Sequence, residues 1–137
     1  MKRLNLIQTA LIAFLITINL FSAAHAEIRT YEGVGEYFMT DETVDFAKNK
    51  AEMEANRNIL DKICVYVKSQ STMIDNTLDN DEIITISAGI LHVINTKFYM
   101  ANENDGTLVK SFVTAQIDTD ELEKLLEQEI KNKISEE

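Results

Sequence analysis

The chain has 137 residues, of which 13 are Lys or Arg and 23 are Asp or Glu, so its formal charge at neutral pH is −10. A chain of this length supports one substantial hydrophobic core, and its acidic balance disfavours nucleic acid as a partner because phosphate binding needs a basic surface. Beyond residue 26 it contains one Cys and one His. These are too few for a structural zinc cage, a disulfide framework or a His-based catalytic triad.

The N-terminal segment has the organisation of a secretory signal peptide. Two basic residues precede an apolar run at residues 10–21, and residues 24–26 read Ala-His-Ala, which is the small-x-small pattern of a cleavage site. We predict that residues 1–26 are a signal peptide cut between Ala26 and Glu27, and that the mature protein is periplasmic or secreted. Cleavage removes two basic residues and no acidic one, so the charge changes from −10 to −12. A retained membrane anchor is the alternative, but the apolar run is short for a span.

The mature chain begins with a predicted strand and a predicted long helix. Residues 28–39 predict a strand that carries Gly33 and Gly35 on one face. The next apolar residues recur every three or four positions, which predicts an amphipathic helix over 42–65 capped by Asp41. One face of this helix has a row of small residues, namely Ala47, Ala51 and Ala55. We expect this row to pack closely on the two glycines, because glycine has no side chain to keep the helix away.

The middle of the chain predicts an extended segment and a short helix. Residues 64–68 are rich in β-branched and aromatic side chains, and 69–74 lack helical periodicity, so both are expected to be extended. Asp79 and Glu82 form a capping-box pattern, which predicts a short helix to about residue 87 that stops near Gly89. A strand is the alternative for this short element.

The last part predicts a hairpin followed by a helix. Residues 91–101 and 107–117 flank Asp105-Gly106, which is a strong hairpin signal. Asp118 then caps a helix over about 119–135. The predicted fold is α+β, with a small antiparallel sheet packed against a long amphipathic helix, plus a short helix and a C-terminal helix. We assign residues 27–137 to this single domain.

The residue types that carry chemistry do not predict an enzyme or a cofactor. Cys64 has apolar neighbours, which favours a buried, inert thiol over a disulfide between chains. His92 stands alone on a predicted strand, so a structural role is favoured over a general base. Five aromatic residues are mainly expected in the core, and those on the outer sheet face in an interface: Tyr37, Phe38, Phe98, Tyr99 and Phe112.

An acidic segment at residues 75–82 is a candidate cation site. Asp75, Asp79, Asp81 and Glu82 could offer oxygen ligands to Ca²⁺. The spacing does not match an EF-hand loop, however, so helix capping and a solvated loop are the favoured interpretation.

Several short stretches together resemble the N-terminal domain of flagellar assembly protein T over about residues 27–118. These stretches are Gly-Val-Gly-Glu-Tyr at 33–37, the helix alanines with Arg57-Asn58, Val65-Tyr66-Val67-Lys68-Ser69, and Asp81-Glu82-Ile83 leading to Gly89-Ile90-Leu91. The resemblance implies an exported, stand-alone α+β relative that is a structural component, as in a periplasmic ring around the flagellar basal body. It brings no catalytic residues.

The sequence therefore predicts a non-enzymatic periplasmic or secreted assembly module. It should bind a protein of the envelope or the flagellum through its sheet edge or its terminal helix, and self-association is compatible with the same surfaces. The alternative is a protein that binds a cation or a small ligand through the acidic segment 75–82.

Overall fold

The computed structural model describes residues 26–136, so the predicted signal peptide lies outside the described residues except for Ala26. In chain order the elements are β1 (Ile28–Met39), α1 (Val44–Gln70), α2 (Thr72–Thr77), α3 (Asn80–Ile90), β2 (His92–Glu103), β3 (Gly106–Asp118) and α4 (Thr119–Glu136). The strands form an antiparallel sheet in the order β1-β3-β2, and α1 packs on one of its faces. The predicted α+β class is confirmed.

The central strand β3 shows the alternation of a sheet covered on one face. Its buried side chains are Val109, Ser111, Val113, Ala115 and Ile117, and the residues between them are partly or largely exposed. β1 pairs with β3 along its full length. β2 pairs along the opposite side of β3, with one bulge between Val93 and Asn95.

The long helix α1 approaches β1 at two glycines. A Cβ built on Gly33 would overlap the carbonyl oxygen of Ala55, and one built on Gly35 would overlap that of Ala51. Ala51 and Ala55 are fully buried, as is Ala47 one turn earlier. The helix backbone therefore lies directly on the strand backbone, and any larger side chain at the glycines would separate them.

Helix α1 starts and ends later in the chain than predicted. Its N-cap is Thr43 rather than Asp41, because the Thr43 side chain accepts the backbone N–H of Phe46 at 3.3 Å. Residues 64–68 are helical, so the prediction of an extended segment is wrong. Cys64 and Val67 continue the buried face of the helix, and this burial outweighs the weak helix propensity of the β-branched residues.

The segment 69–74 is also not extended, because one serine separates two helices. The Ser71 N–H donates to the carbonyl of Val67 at 3.2 Å, which closes α1. The Ser71 side chain accepts the N–H of Ile74 at 3.4 Å, which caps α2. Ile74 is buried in the main core, so α2 is attached to the domain by this side chain.

Helix α3 has the predicted capping box and a later end than predicted. The Glu82 N–H donates to Asp79 Oδ1 at 2.8 Å, and the Asp79 N–H donates to Glu82 Oε2 at 2.9 Å. The helix continues through Gly89 to Ile90. Gly89 does not stop it, because its φ is not in the left-handed region that a glycine cap uses.

The hairpin turn lies one residue earlier than its sequence signal suggests. Glu103 pairs with Gly106, so the loop consists of Asn104 and Asp105. Gly106 has no positive φ. A Cβ there would overlap the carbonyl oxygen of Met39 at the end of β1. Glycine is therefore required by the close approach of β1.

The C-terminal helix α4 begins as predicted. Asp118 Oδ1 accepts the N–H groups of Asp120 and Glu121 at 3.0 and 3.1 Å. Leu122, Leu126 and Ile130 are buried. Among residues 26–136, none of the helices combines the length and the apolar composition needed to cross a bilayer.

Candidate functional site

The acidic segment does not form one metal-binding cluster: the carboxylates of Asp75, Asp79 and Glu82 have structural partners, and Asp81 is exposed in the first turn of α3. Asp75 contacts Lys68 at 3.5 Å, and Asp79 caps α3. Glu82 completes the capping box and contacts Lys133 of α4 at 2.5 Å, which lowers the pKa of Glu82. Within the described part of the chain, no group of three or more His, Cys, Asp or Glu side chains is placed to hold a metal ion.

The two other residues singled out for chemistry lie in different environments. Cys64 is buried and has a free thiol, and its burial raises the thiol pKa. The thiol therefore stays protonated at neutral pH, which makes it a weak nucleophile. His92 is exposed at the first position of β2.

A cavity of about 290 Å³ lies between the end of α1, α2 and the start of α4. Thr119 lines this cavity, and its N–H and hydroxyl both donate to the carbonyl of Glu27, at 2.9 and 2.8 Å. The backbone N–H of Glu27 donates to Asp120 at 3.3 Å. The polar groups on this side of the cavity thus hold the start of the domain in place.

The outer edge of β1 is occupied by side chains from α1. Its backbone hydrogen bonds are Asn58 Nδ2 to the Val34 carbonyl (2.7 Å), Lys62 Nζ to the Glu32 carbonyl (2.6 Å) and the Glu36 N–H to Glu54 Oε2 (3.3 Å). The unpaired groups of an edge strand are what allow another strand to add to a sheet. Because α1 occupies three of these groups, β1 is a protected edge.

The outer edge of β2 has no such protection. Within residues 26–136, no strand pairs with this edge, and no described side chain forms a hydrogen bond with the β2 backbone. Helix α1 packs on β1 and β3 and reaches β2 through side chains, as in the hydrogen bond from Thr96 Oγ1 to Glu52 at 3.0 Å. We call the outer side of residues 95–103, beyond the bulge, the free edge.

The ladder alternation shows which residues face the free edge. In an antiparallel pair, residues that bond their neighbour alternate with residues whose N–H and C=O point away. The Val34 carbonyl bonds Asn58 and so points away from β3. Its β3 partner, Phe112, must therefore bond β2, where it faces Lys97. It follows that the outward groups of β2 belong to Thr96, Phe98, Met100 and Asn102.

The side chains of β2 are exposed on both faces of the sheet. None of its residues is buried. Phe98 and Met100, on the helix side, are 38% and 47% exposed, and Tyr99, on the opposite side, is 58% exposed. The prediction of a core position is therefore wrong for Phe98. Tyr99 lies on the outer face, where an interface role was predicted, and that role stays a prediction. The structure places both on β2, whose outer edge is open.

Two of the other aromatic residues of the sheet are also exposed. Phe38 and Phe112 are 41% and 44% exposed on the face away from α1. Tyr37 is half-buried and forms an edge-to-face contact with Phe46 at 5.9 Å between ring centroids. No local pattern signals this exposure, because a continuous apolar run such as Phe98-Tyr99-Met100 is typical of a strand buried on both faces.

No protein-family model, no curated protein and no solved structure matches this chain. The resemblance to the N-terminal domain of flagellar assembly protein T therefore stays a prediction.

Proposed function

We propose that this chain is a non-enzymatic, exported assembly module that binds a protein partner by strand addition at the free edge of β2. The observation that carries the proposal is the difference between the two sheet edges. Asn58, Lys62 and Glu54 occupy the backbone of β1, whereas the equally long β2 is left open. A long edge with unoccupied backbone groups and with Phe98, Tyr99 and Met100 exposed at its middle is a liability for a solitary protein, and it becomes useful when a partner covers it.

Strand addition would use both the backbone groups and the side chains of the free edge. Backbone hydrogen bonds supply affinity in this mode of recognition, and alternate side chains supply specificity. Here Phe98 and Met100 would contact a partner on the helix side of the sheet, and Tyr99 would contact it on the other side. The exposed apolar area of these side chains would add a hydrophobic contribution to binding.

The resemblance described above suggests a setting for that partner, namely a ring of the flagellar basal body. A strain that lacks this gene is expected to swim poorly under this more specific proposal. Normal motility would remove the flagellar setting and leave the strand-addition proposal to its own test.

Photo-cross-linking in the native host tests the proposed surface. A photoreactive amino acid at Met100 should give a discrete cross-linked product. The matched control is Met53, which is 64% exposed on α1 and should give none. Products of equal yield from both positions, or a product from Met53 alone, would contradict binding at the free edge.

A further inference from the structure

The free edge of β2 has the charge pattern of a strand that can pair with itself. Residues 95–103 contain one basic residue, Lys97, and one acidic residue, Glu103. Both belong to the alternating set that faces away from α1, because Lys97 pairs with Phe112 and Glu103 is six residues further along. The strand is therefore neutral, and its opposite charges lie near its two ends on one face.

From this pattern and the two unequal edges, we infer that the partner at the free edge is a second copy of this chain, bound antiparallel through β2. This inference rests on the proposed function and names its partner. In an antiparallel pair related by a twofold axis, residue i of one copy lies opposite residue j of the other, and j lies opposite i. With Met100 on the axis, Lys97 lies opposite Glu103 of the second copy, and the same pair occurs twice.

This register also satisfies the backbone. The residues with outward N–H and C=O groups are Phe98, Met100 and Asn102, and in this register Phe98 faces Asn102 of the second copy while Met100 faces its own counterpart. All three positions then exchange backbone hydrogen bonds across the interface. The product is one six-stranded sheet in which both β2 strands are central.

The exposed apolar side chains of β2 come together in this arrangement. On the helix side Met100 faces its own counterpart, and Phe98 lies opposite Asn102 and diagonal to Met100 of the second copy. Tyr99 faces Ala101 of the second copy on the other side. Aromatic and aliphatic cross-strand pairs of this kind stabilise antiparallel sheets.

The charges of β2 also disfavour a parallel arrangement. Parallel pairing in register would place Lys97 beside Lys97 and Glu103 beside Glu103, which is unfavourable.

The net negative charge of the whole chain opposes association at long range, but at physiological ionic strength charges are screened beyond about 8 Å. Residues 95–103 carry no net charge, so the paired segments themselves add no net repulsion.

Charge reversal tests both the partner and the register. The purified chain is expected to sediment at twice the mass of one copy in analytical ultracentrifugation at micromolar concentration. Lys97→Glu and Glu103→Lys should each weaken the dimer by about tenfold or more, because each places two like-charge pairs at the interface. The double variant, Lys97→Glu with Glu103→Lys, should return the affinity to within about threefold of the original.

The control is Met53→Lys, which adds a charge to an exposed position of α1 and should leave the dimer unchanged. Circular dichroism checks that every variant is folded. A monomeric original chain, or single reversals without effect, would overturn the inference. Either result would leave the proposed function standing if Met100 still cross-links to a different protein in the host, whereas no cross-link at all would end both.

Discussion

Gly35 of β1 and Ala51 of α1 leave no space between them for a methyl group, since a Cβ on the glycine would overlap the Ala51 carbonyl oxygen. Both residues belong to regular elements, so neither backbone can move without shifting a strand or a helix. We expect Gly35→Ala to lower the free energy of unfolding by about 3 kcal/mol, at the upper end of overpacking effects. Urea unfolding followed by circular dichroism measures this change.

The control for this substitution is another glycine of the same chain. Gly89 lies inside α3, and a Cβ there would meet nothing within 4 Å. Gly89→Ala should raise stability by about 0.5–1 kcal/mol, because alanine loses less backbone entropy in a helix. If the two variants behaved alike, the close approach of α1 to β1 would be contradicted.

The protection of β1 should also have a measurable contribution. Asn58→Ala removes the hydrogen bond to the Val34 carbonyl, at 2.7 Å. We expect a loss of about 0.5–1.5 kcal/mol in the free energy of unfolding. The neighbouring Arg57→Ala, at an exposed position of the same helix, should change stability by less than about 0.5 kcal/mol. An Arg57 effect equal to that of Asn58 would mean that the edge contact contributes nothing of its own.

A buried hydroxyl in the sheet predicts a stabilising substitution. Ser111 is fully buried, and its Oγ has no hydrogen-bond partner within the described residues. Ser111→Ala should raise stability by about 1 kcal/mol, because an unsatisfied buried polar group is removed. Ser87→Ala is the matched case and should gain less, since its buried hydroxyl donates to the Ile83 carbonyl at 2.7 Å. A destabilised Ser111→Ala would show that the hydroxyl does have a partner.

The contact between Glu82 and Lys133 predicts that the stability of the fold depends on pH. Lys133 and the N–H of Asp79 lower the pKa of Glu82 below its usual 4.5. A carboxyl group whose pKa is lower in the folded state stabilises the fold above its unfolded pKa, and this contribution is lost as the pH falls through the folded value. Unfolding measured from about pH 5 to about pH 3 should therefore show a smaller loss of stability for Glu82→Gln than for the original chain.

A second variant separates this contact from acid effects elsewhere. Lys133→Gln removes the largest cause of the low Glu82 pKa and should also reduce the loss of stability between about pH 5 and about pH 3. The double variant should add little to either single one, because both remove the same interaction. Curves for the variants that run parallel to the original would contradict the assignment.

The start of the domain gives a prediction about processing. The backbone nitrogen of Glu27 lies 3.3 Å from Asp120 Oδ2, so cleavage after Ala26 would create an α-ammonium group beside a carboxylate. We expect the exported chain to begin at Glu27 by intact-mass measurement. Asp120→Asn should then lower its stability by roughly 0.2–1 kcal/mol, an effect that added salt reduces. An exported chain that begins elsewhere would contradict the predicted cleavage.

The elements fixed by local chemistry could be predicted from the sequence. The capping box of Asp79 and Glu82, the Asp118 cap and the apolar alternation of β3 depend on residues close together in the chain. The close approach at Gly33 and Gly35 could be predicted because both partners are small. The end of α1 could not, because residues 64–68 have strand propensity and become helical only through burial of Cys64 and Val67 in the core.

The free edge was harder to predict, because it also depends on contacts between residues that are distant in the chain. A sheet edge was expected as a binding surface, but its position depends on strand order. The chain order places β2 before β3, and pairing of β1 with β3 makes β2 an outer strand. The protection of β1 depends on contacts between residues more than 15 positions apart, such as Lys62 with Glu32. No local pattern indicates such contacts.

Because Asn58, Lys62 and Glu54 occupy the outer edge of β1, the sheet can be extended by strand pairing only at the edge of β2. A protomer with two open sides could add copies without end and form a fibre, as happens when an interface does not close. A protomer with one open side forms a finite product, since each copy uses its single available strand once. If β2 pairs with a second copy as proposed, these three polar side chains of α1 would limit the assembly to two copies.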